Sequence, residues 1–367
     1  MSKLFSGNAN FVGRRRLWYI ISACVLVIAI LGILIRGFHL GIDFEGGTKM
    51  TMPAGDLDAK VVAQTFEQAT GVNAQEAQIV GSGDSRQLEI SSARLSDDQI
   101  TAAREAIFDA YHPSDSSGQS SPDMIGDSTV SESWGSTITK RMIIALVVFL
   151  VIIFGYIAFR FERDMAISAI IALLIDAIVV AGIYAIVGFE VTPATVTGLL
   201  TVLAFSLYDT VVVFDKVKEN TKGLFKQHKY TYSEQANFAV NQTLTRSIST
   251  TVIAVLPILS LMIIAVWMMG VGTLKDLSLV QLIGVIEGTF SSIFLATPML
   301  VSLKSRQRKV KTHDQAVLAA RNSDDPDAAF REAMADELAE EEKKEADKAA
   351  RKHGGTEEPQ VSRSWRP

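Results

Sequence analysis

Six long runs of apolar residues constrain the fold of this chain more than any other feature of its sequence. They occupy residues 17–37, 141–160, 165–187, 191–214, 247–269 and 277–303. Each is about 20 residues long, which is what a helix needs to cross a hydrocarbon layer of about 30 Å. Inside a membrane every backbone polar group must be hydrogen-bonded within the protein. The runs are therefore predicted to be transmembrane helices of an α-helical polytopic membrane protein.

Basic residues indicate how these spans are oriented. Arginines precede the first span and lie between the second and third, and clusters of Lys and Arg follow the fourth and sixth. The opposite short loops, 188–190 and 270–276, contain only Lys275 as a basic residue. The positive-inside rule therefore predicts that residues 1–16 and 304–367 are cytoplasmic. Residues 304–367 are highly charged and poor in large apolar residues, so we expect a largely disordered tail.

Residues 38–140, between the first two spans, form the predicted extracytoplasmic part. Strands are predicted at 47–53, 76–80, 86–92 and 127–133. Asp56 is a predicted cap for a helix that ends near Thr70, and Ser96 with Gln99 forms a capping box for a helix that reaches Tyr111. The order β-α-β-β-α-β predicts a small α+β domain with a ferredoxin-like fold.

The extracytoplasmic segment contains no catalytic motif. Its histidines, His39 and His112, are too far apart in sequence to suggest a local metal site, and the one cysteine, Cys24, lies in the first span. No phosphate-binding loop or cysteine cluster is present in the sequence. We therefore expect a protein that is not an enzyme, with no cofactor, no metal and no nucleic-acid partner.

Asp209 is the most informative charge within the predicted spans. An ionised Asp at a helix centre costs roughly 2.5–3.5 kcal/mol, so such a residue is by default a functional site. Arg246 begins the fifth span at a comparable depth and could pair with Asp209. A carboxylate beside an arginine stays ionised, whereas moving the arginine away favours proton uptake. The pair is a candidate proton switch, and a static structural ion pair is the alternative.

Two further acidic residues lie deeper in the predicted bundle. Asp176 is near the middle of the third span and Glu287 near the middle of the sixth. Each is expected to face a water-filled interior or to be kept neutral by burial. Ser206 and Thr210 flank Asp209 and belong to a concentration of small and polar residues on spans four to six, for which ordinary helix packing is the alternative interpretation.

Four motifs resemble signatures of one membrane-protein family. GIDFEGGT, which contains Gly41, Asp43, Gly46 and Gly47, resembles the signature that follows the first span in the SecD/SecF export proteins. SLYDTVVVFDKVKEN, NQTLTRSISTT and GVIEGTFSSIFLATPML are similar to the family's signatures in spans four, five and six. The four motifs occur in the family's order and spacing, over residues 14–305, so the resemblance is specific.

The resemblance implies a six-span, RND-like helical bundle that serves protein export. It implies a SecD partner and a place beside the Sec translocon, SecYEG, in the lipid bilayer of the bacterial cytoplasmic (inner) membrane. There the family uses the proton-motive force to promote the translocation of preproteins. The alternatives are half of an RND-type proton-coupled exporter of small molecules or lipids, and a receptor or scaffold without ion coupling.

The resemblance also assigns roles to single residues. The family's proton path contains an Asp and an Arg that match Asp209 and Arg246, and Asp176 matches a family Asp in span three. Two positions depart from the family pattern. Ile175 stands where many members have His, which weakens a His–Asp relay, and Glu287 stands where small residues are common.

Overall fold

The computed structural model describes residues 9–114, 118–270 and 272–335. Six of its helices are long and apolar enough to cross a membrane, as the apolar runs predicted. Spans one to four are Arg15–Arg36, Glu132–Arg160, Arg163–Val187 and Pro193–Asn220. Span five is Tyr232–Leu261 with a π-helical continuation, Met262–Met268; span six is Gly272–Ser291, a π-helical Ser292–Ala296, and Thr297–Lys304.

Two of these helices begin well before the predicted apolar run. Span two starts at Glu132 because the Ser131 hydroxyl accepts a hydrogen bond from the backbone N–H of Trp134. Span five starts at Tyr232, where Thr231 and Glu234 form a capping box. Such caps satisfy N–H groups that a helix leaves unpaired at its first turn. The polar first turns were missed because hydropathy identifies only the apolar part of a helix.

A four-stranded sheet domain lies between spans one and two. Its elements are β2 (Gly47–Pro53), α1 (Ala59–Thr70), β3 (Ala74–Val80), β4 (Gln87–Ser92), α2 (Asp97–Tyr111) and β5 (Gly126–Val130), after a short strand, β1 (His39–Leu40). The sheet order is β3-β4-β2-β5 and every pairing is antiparallel. The β-α-β-β-α-β order agrees with the prediction. The capping box of Ser96 and Gln99 is present, whereas Asp58 rather than Asp56 caps α1.

Two consecutive glycines lie at the start of β2, and the first of them packs against the start of span two. Gly46 and Gly47 have φ angles of 82° and 150°, in the region that favours glycine. A Cβ on Gly46 would lie 2.8 Å from the backbone nitrogen of Glu132, and one on Gly47 would lie 2.5 Å from the carbonyl oxygen of Ser92. Asp43 lies half-buried in the short helix before them, Ile42–Glu45. The glycines therefore permit both the turn and the close contact.

A backbone strap holds the end of span one against the start of span four. Strand β1 pairs in parallel with β6, Glu190–Val191, which directly precedes span four. The backbone N–H of Gly41 donates to the carbonyl oxygen of Val191 at 2.9 Å. We call this pairing the strap. It fixes the outer ends of spans one and four relative to each other.

Charged side chains complete the contact between the sheet domain and the bundle. Lys49 of β2 has its Nζ 3.4 Å from a carboxylate oxygen of Glu190 and 4.0 Å from one of Glu89. Lys275, near the start of span six, donates to the side-chain oxygen of Gln78 at 2.6 Å. We call this group the seam. It connects the sheet to the loop before span four and to span six.

The first part of the tail is helical. Helix α3, Arg308–Arg321, contributes Ala316, Val317 and Ala320 to a small buried cluster with Phe330 and Met334. Small apolar residues at helical spacing are enough for this local packing. The remainder of the tail, 336–367, lies outside the described residues, so the expectation of disorder stays a prediction there.

Gly182 allows us to test the contact between spans one and three. A Cβ on Gly182 would lie 2.3 Å from the Cβ of Ala29 and 2.5 Å from its Cα. We expect Gly182→Ala to destabilise the purified chain by about 1–3 kcal/mol, because the two backbones must separate. Gly155→Ala in span two is the matched control, since nothing lies within 4 Å of its Cβ position. Thermal unfolding in detergent measures both, and equal melting temperatures would contradict the close contact.

Glu76 of β3 lies near the charged residues of the seam and allows us to test their electrostatic effect. Burial raises the pKa of Glu76 above its ordinary value of 4.5, and Glu190 raises it further, against the effects of Lys275 and Lys49. The folded state therefore binds this proton more tightly than the unfolded state. The stability that Glu76 contributes is complete below pH 4.5 and is lost as the pH rises through the raised pKa.

We therefore expect Glu76→Gln to raise the melting temperature at neutral pH, because it removes an ionised group that burial penalises. The difference from the unsubstituted chain should shrink as the pH falls toward 4.5. Glu105→Gln, at an exposed position on α2, is the control and should show no such pH dependence. A pH-independent effect of Glu76→Gln would mean that the charge of Glu76 is irrelevant to the seam.

Candidate functional site

Spans four and six approach each other closely where the buried acidic residues lie. A Cβ on Gly284 would be 2.1 Å from a methyl carbon of Val202, and one on Gly288 would be 2.7 Å from the Cβ of Ser206. Small residues allow helix backbones in a membrane to come near enough for short polar side chains to reach across. The glycines of span six therefore determine which side chains face Asp209 and Asp176.

Asp209 is held by two serine hydroxyls. The carboxylate is only 3% exposed, and both serines are fully buried. Ser247 of span five donates to Oδ1 at 2.7 Å, and Ser292 of span six donates to Oδ2 at 2.5 Å. Thr210, the next residue, is also buried. Three spans thus meet at this carboxylate, and protein rather than lipid surrounds it.

The structure does not bring Arg246 into contact with Asp209. Arg246 is exposed and donates to the hydroxyl of Tyr208 at 3.0 Å. Within the described part of the chain no ion pair reaches Asp209. The reason is helical geometry, since consecutive residues point about 100° apart around a helix. Because Ser247 faces Asp209, its neighbour Arg246 faces Tyr208 instead.

Asp176 and Glu287 meet one layer away from Asp209. Asp176 is 1% exposed, and Ser206 of span four donates a short hydrogen bond to its Oδ2. Glu287 of span six lies close enough to Asp176 for their carboxyl groups to interact directly. The structure thus places Asp176, Glu287 and Ser206 next to one another, although the sequence indicated each of them separately. Ser206 and Asp209 are three positions apart on span four, so the two acidic sites share one helix face.

The hydrogen-bond pattern of span six changes at the serine that binds Asp209. From Ser292 to Ala296 the helix is π-helical, and the Thr297 hydroxyl donates to the carbonyl oxygen of Ser292 at 3.3 Å. Span five contains a second π-helical stretch, Met262–Met268. Such stretches are rare and frequently occur at functional sites. Two of the three spans around Asp209 therefore contain an irregular turn.

Three residues of the site were not predicted from the sequence: Ser247, Ser292 and Tyr208. The two serines were included with the residues that favour helix packing, and Tyr208 was not singled out. The available signal was their position, since Ser247 follows Arg246 directly and Ser292 follows Glu287 by five residues. No group of three potential metal-ligating side chains occurs within residues 9–114, 118–270 and 272–335.

Two parts of the chain match known protein families. Residues 114–306 match the family described as "Protein export membrane protein SecD/SecF, C-terminal". Residues 32–55 match the "SecD/SecF GG Motif", which includes Gly41, Asp43, Gly46 and Gly47. The two matches together cover all six spans in part or in full and the two glycines before β2.

Similar proteins carry the same family name. The chain is 53% identical to "Protein translocase subunit SecF" of Mycobacterium tuberculosis over 328 residues, which is 89% of this chain and 74% of that one. It is 40% identical to the protein of that name from Streptomyces coelicolor, over 89% of this chain and 85% of that one.

A solved structure has a similar fold. The crystal structure of SecDF from Thermus thermophilus, described as a translocon-associated membrane protein, matches 81% of this chain with a TM-score of 0.68 and 28% identity. This chain spans 39% of that SecDF chain. The matched motifs, the six spans and the similar proteins agree, and the chain belongs to the SecD/SecF family of protein-export membrane proteins.

Proposed function

We propose that this chain is an accessory subunit of the Sec protein-export machinery that uses the proton-motive force to promote the translocation of preproteins. Its similar proteins are named protein translocase subunits. In SecDF of Thermus thermophilus the matching region is 39% of a longer chain whose name combines SecD and SecF. We therefore propose SecD as the partner of this chain, and the SecYEG translocon and an emerging preprotein as its working context.

The proposed location is the bacterial cytoplasmic membrane, with both termini in the cytoplasm. Arg160, Arg163 and Lys304 lie on the side of the bundle where span one begins and span six ends, and by the positive-inside rule that side is cytoplasmic. Lys304 supports this arrangement locally, because its Nζ lies 2.6 Å from Glu162 and 3.4 Å from Asp164 in the turn between spans two and three. The sheet domain then faces the outside, where exported chains emerge.

The observation that carries the proposal is the environment of Asp209. Its carboxylate is buried, accepts two hydroxyl hydrogen bonds and has no basic partner among the described residues. An arginine beside a carboxylate favours its ionised form, and moving that arginine away favours proton uptake. Arg246 is adjacent in sequence to Ser247, which donates one of the two bonds.

A proton switch follows from that adjacency. A rotation of span five by about one residue position, roughly 100°, would replace Ser247 by Arg246 opposite Asp209. In our proposal the proton is bound while Ser247 faces Asp209 and is released when Arg246 does. The π-helical stretch in span five supplies a place where the helix can change register.

The same helix connects this switch to the sheet domain. Span four contains Asp209 and begins immediately after β6, which forms the strap with β1. Lys49 of the sheet also contacts Glu190 in β6. A movement of span four that accompanies proton exchange is therefore transmitted to the sheet domain through backbone and charged contacts. The alternative of a small-molecule or lipid exporter receives no support from the names of the similar proteins.

Substitutions at Asp209 and Arg246 test the proposed coupling. We expect Asp209→Asn and Arg246→Met each to reduce gradient-dependent secretion at least tenfold in cells depleted of the native protein. The physical reason is that Asp209→Asn removes the carboxyl group that binds the proton, and Arg246→Met removes the cation that displaces it. Secretion of a reporter protein, with and without a protonophore, is the measurement.

Glu219→Gln and Lys218→Met are the matched controls, because they remove charges of the same sign near the end of span four, away from the buried site. Both should secrete normally. If Asp209→Asn and Arg246→Met reach normal membrane levels and secrete like the controls, the proton switch is wrong. A loss that persists equally when the proton gradient is abolished would also count against it.

A further inference from the structure

Three buried oxygen atoms without hydrogen-bond partners lie at the contact between Asp176 and Glu287. They are Oδ1 of Asp176, Oε2 of Glu287 and the hydroxyl of Ser291, one helical turn after Glu287. Asp176 and Ser291 are each 1% exposed. Buried polar atoms in proteins are normally paired, because leaving one unpaired costs about 1–3 kcal/mol. The two carboxylate oxygens can only accept, and the Ser291 hydroxyl can donate to just one of them, so the cluster is one hydrogen-bond donor short.

The neighbouring helices supply no cation to this cluster. Span four contributes Ser206, which is bonded to Asp176, and then Asp209, which is bonded to serines. Span one packs on span three, but its Tyr19 is bonded to Ser302 and its Cys24 is exposed. Span five contributes Arg246, which is exposed and bonded to Tyr208.

The ion pairs of the described residues also lie elsewhere. They occur in the sheet domain and the seam, at the side of the bundle where span one begins and span six ends, and in the tail. The negative charge at Asp176 and Glu287 must therefore be reduced by something other than a basic side chain.

Span six is packed so that Glu287 cannot easily turn away. Gly284 and Gly288 lie on either side of Glu287 in the sequence, and both pack against span four so closely that neither position has room for a side chain. Asp176 is buried and Glu287 is half-buried. Two neighbouring carboxyl groups in such a place resist being ionised together, because like charges repel and little water reaches them. Such a pair takes up and releases protons as one unit.

We propose that Asp176 and Glu287 form a second proton-binding site, in which the two carboxyl groups share one proton. The shared proton supplies the missing donor, since the protonated carboxyl group donates to the ionised one. The hydroxyls of Ser206 and Ser291 then donate to the remaining oxygens. The pair carries one negative charge instead of two, and proton uptake forms one O–H bond without changing any bond between heavy atoms.

The position of this site gives it a place in a proton path. Ser206 precedes Asp209 by three residues, so the shared-proton pair lies about 4.5 Å, slightly less than one helical turn, nearer to the sheet domain. Ser291 and Ser292 are adjacent, and Ser292 binds Asp209. Hydroxyl groups therefore connect the pair to Asp209. The pair can hold a proton between the outer side and Asp209, and its existence does not depend on the exchange proposed for Arg246.

Infrared spectroscopy of the full chain in phospholipid vesicles tests this inference at neutral pH in sodium-free buffer. The carbonyl stretch of a protonated carboxyl group is compared between the unsubstituted chain and Asp176→Asn, Glu287→Gln and the double variant. We expect the double variant to lose the absorbance of one carboxyl group, because the pair holds only one proton. Each single substitution should shift or remove that same band, because it takes away one of the two carboxyl groups that share the proton.

A different number of protonated carboxyl groups lost in these variants would overturn the proposal. A double variant that loses two groups means that each carboxyl holds its own proton, and one that loses none means that both are ionised. A single variant whose band keeps both its position and its intensity assigns the proton to the other residue alone. Loss of the band on adding sodium ions to the unsubstituted chain would indicate a cation site instead.

Two control variants complete the test. Glu219→Gln, at an exposed position, should leave the band unchanged. The second control introduces Asp209→Asn both into the unsubstituted chain and into the Glu287→Gln variant. The difference in absorbance caused by Glu287→Gln should be the same with and without Asp209→Asn. That result would separate a failure of the Asp209 switch from a failure of the shared-proton pair.

Discussion

The close approach of spans three, four and six is the constraint on which the rest of this structure depends. An acidic side chain survives inside a membrane only where other protein groups replace water around it. Here Gly284 and Gly288 let span six lie against span four, and this contact places Ser292 on Asp209 and Glu287 beside Asp176. A wider separation would leave the hydroxyls too short to reach the carboxylates. The close packing of these helices is therefore a condition for the acid–base chemistry of the bundle.

The two acidic sites are arranged differently although they share one face of span four. Asp209 is surrounded by hydroxyl donors from two helices, so a single charge or a single proton can be accommodated there. Asp176 has one hydroxyl donor and a second carboxyl group as its neighbour. The first site suits an exchange between a hydroxyl and a basic partner. The second suits storage, because repulsion between two carboxyl groups retains a proton without any cation.

Features encoded within one stretch of sequence were predictable. The six spans follow from the length and hydropathy of each run, and the capping box of Ser96 and Gln99 correctly placed the start of α2. The order of elements in the sheet domain follows from alternating local patterns. The early starts of spans two and five were missed, because their first turns are polar and extend beyond the apolar runs.

Features that depend on the rotation of one helix against another were not predictable. Asp209 and Arg246 were correctly placed at similar depth, but a rotation of one residue decides whether Arg246 or Ser247 faces the carboxylate. Asp176 and Glu287 are more than a hundred residues apart, and no local pattern indicates that they touch. The strap between β1 and β6 was also missed, since two residues are too short for a period-two pattern to be recognised.

The strap has a consequence for how this protein tolerates sequence change. Its hydrogen bonds join backbone atoms of residues about 150 positions apart, so most side-chain substitutions leave them in place. The seam, by contrast, consists of side chains such as Lys49 and Glu190, which a single substitution can remove. Surface residues of the sheet domain can therefore diverge widely while the mechanical link to span four persists. Insertions, deletions or a proline in these two short strands would break that link.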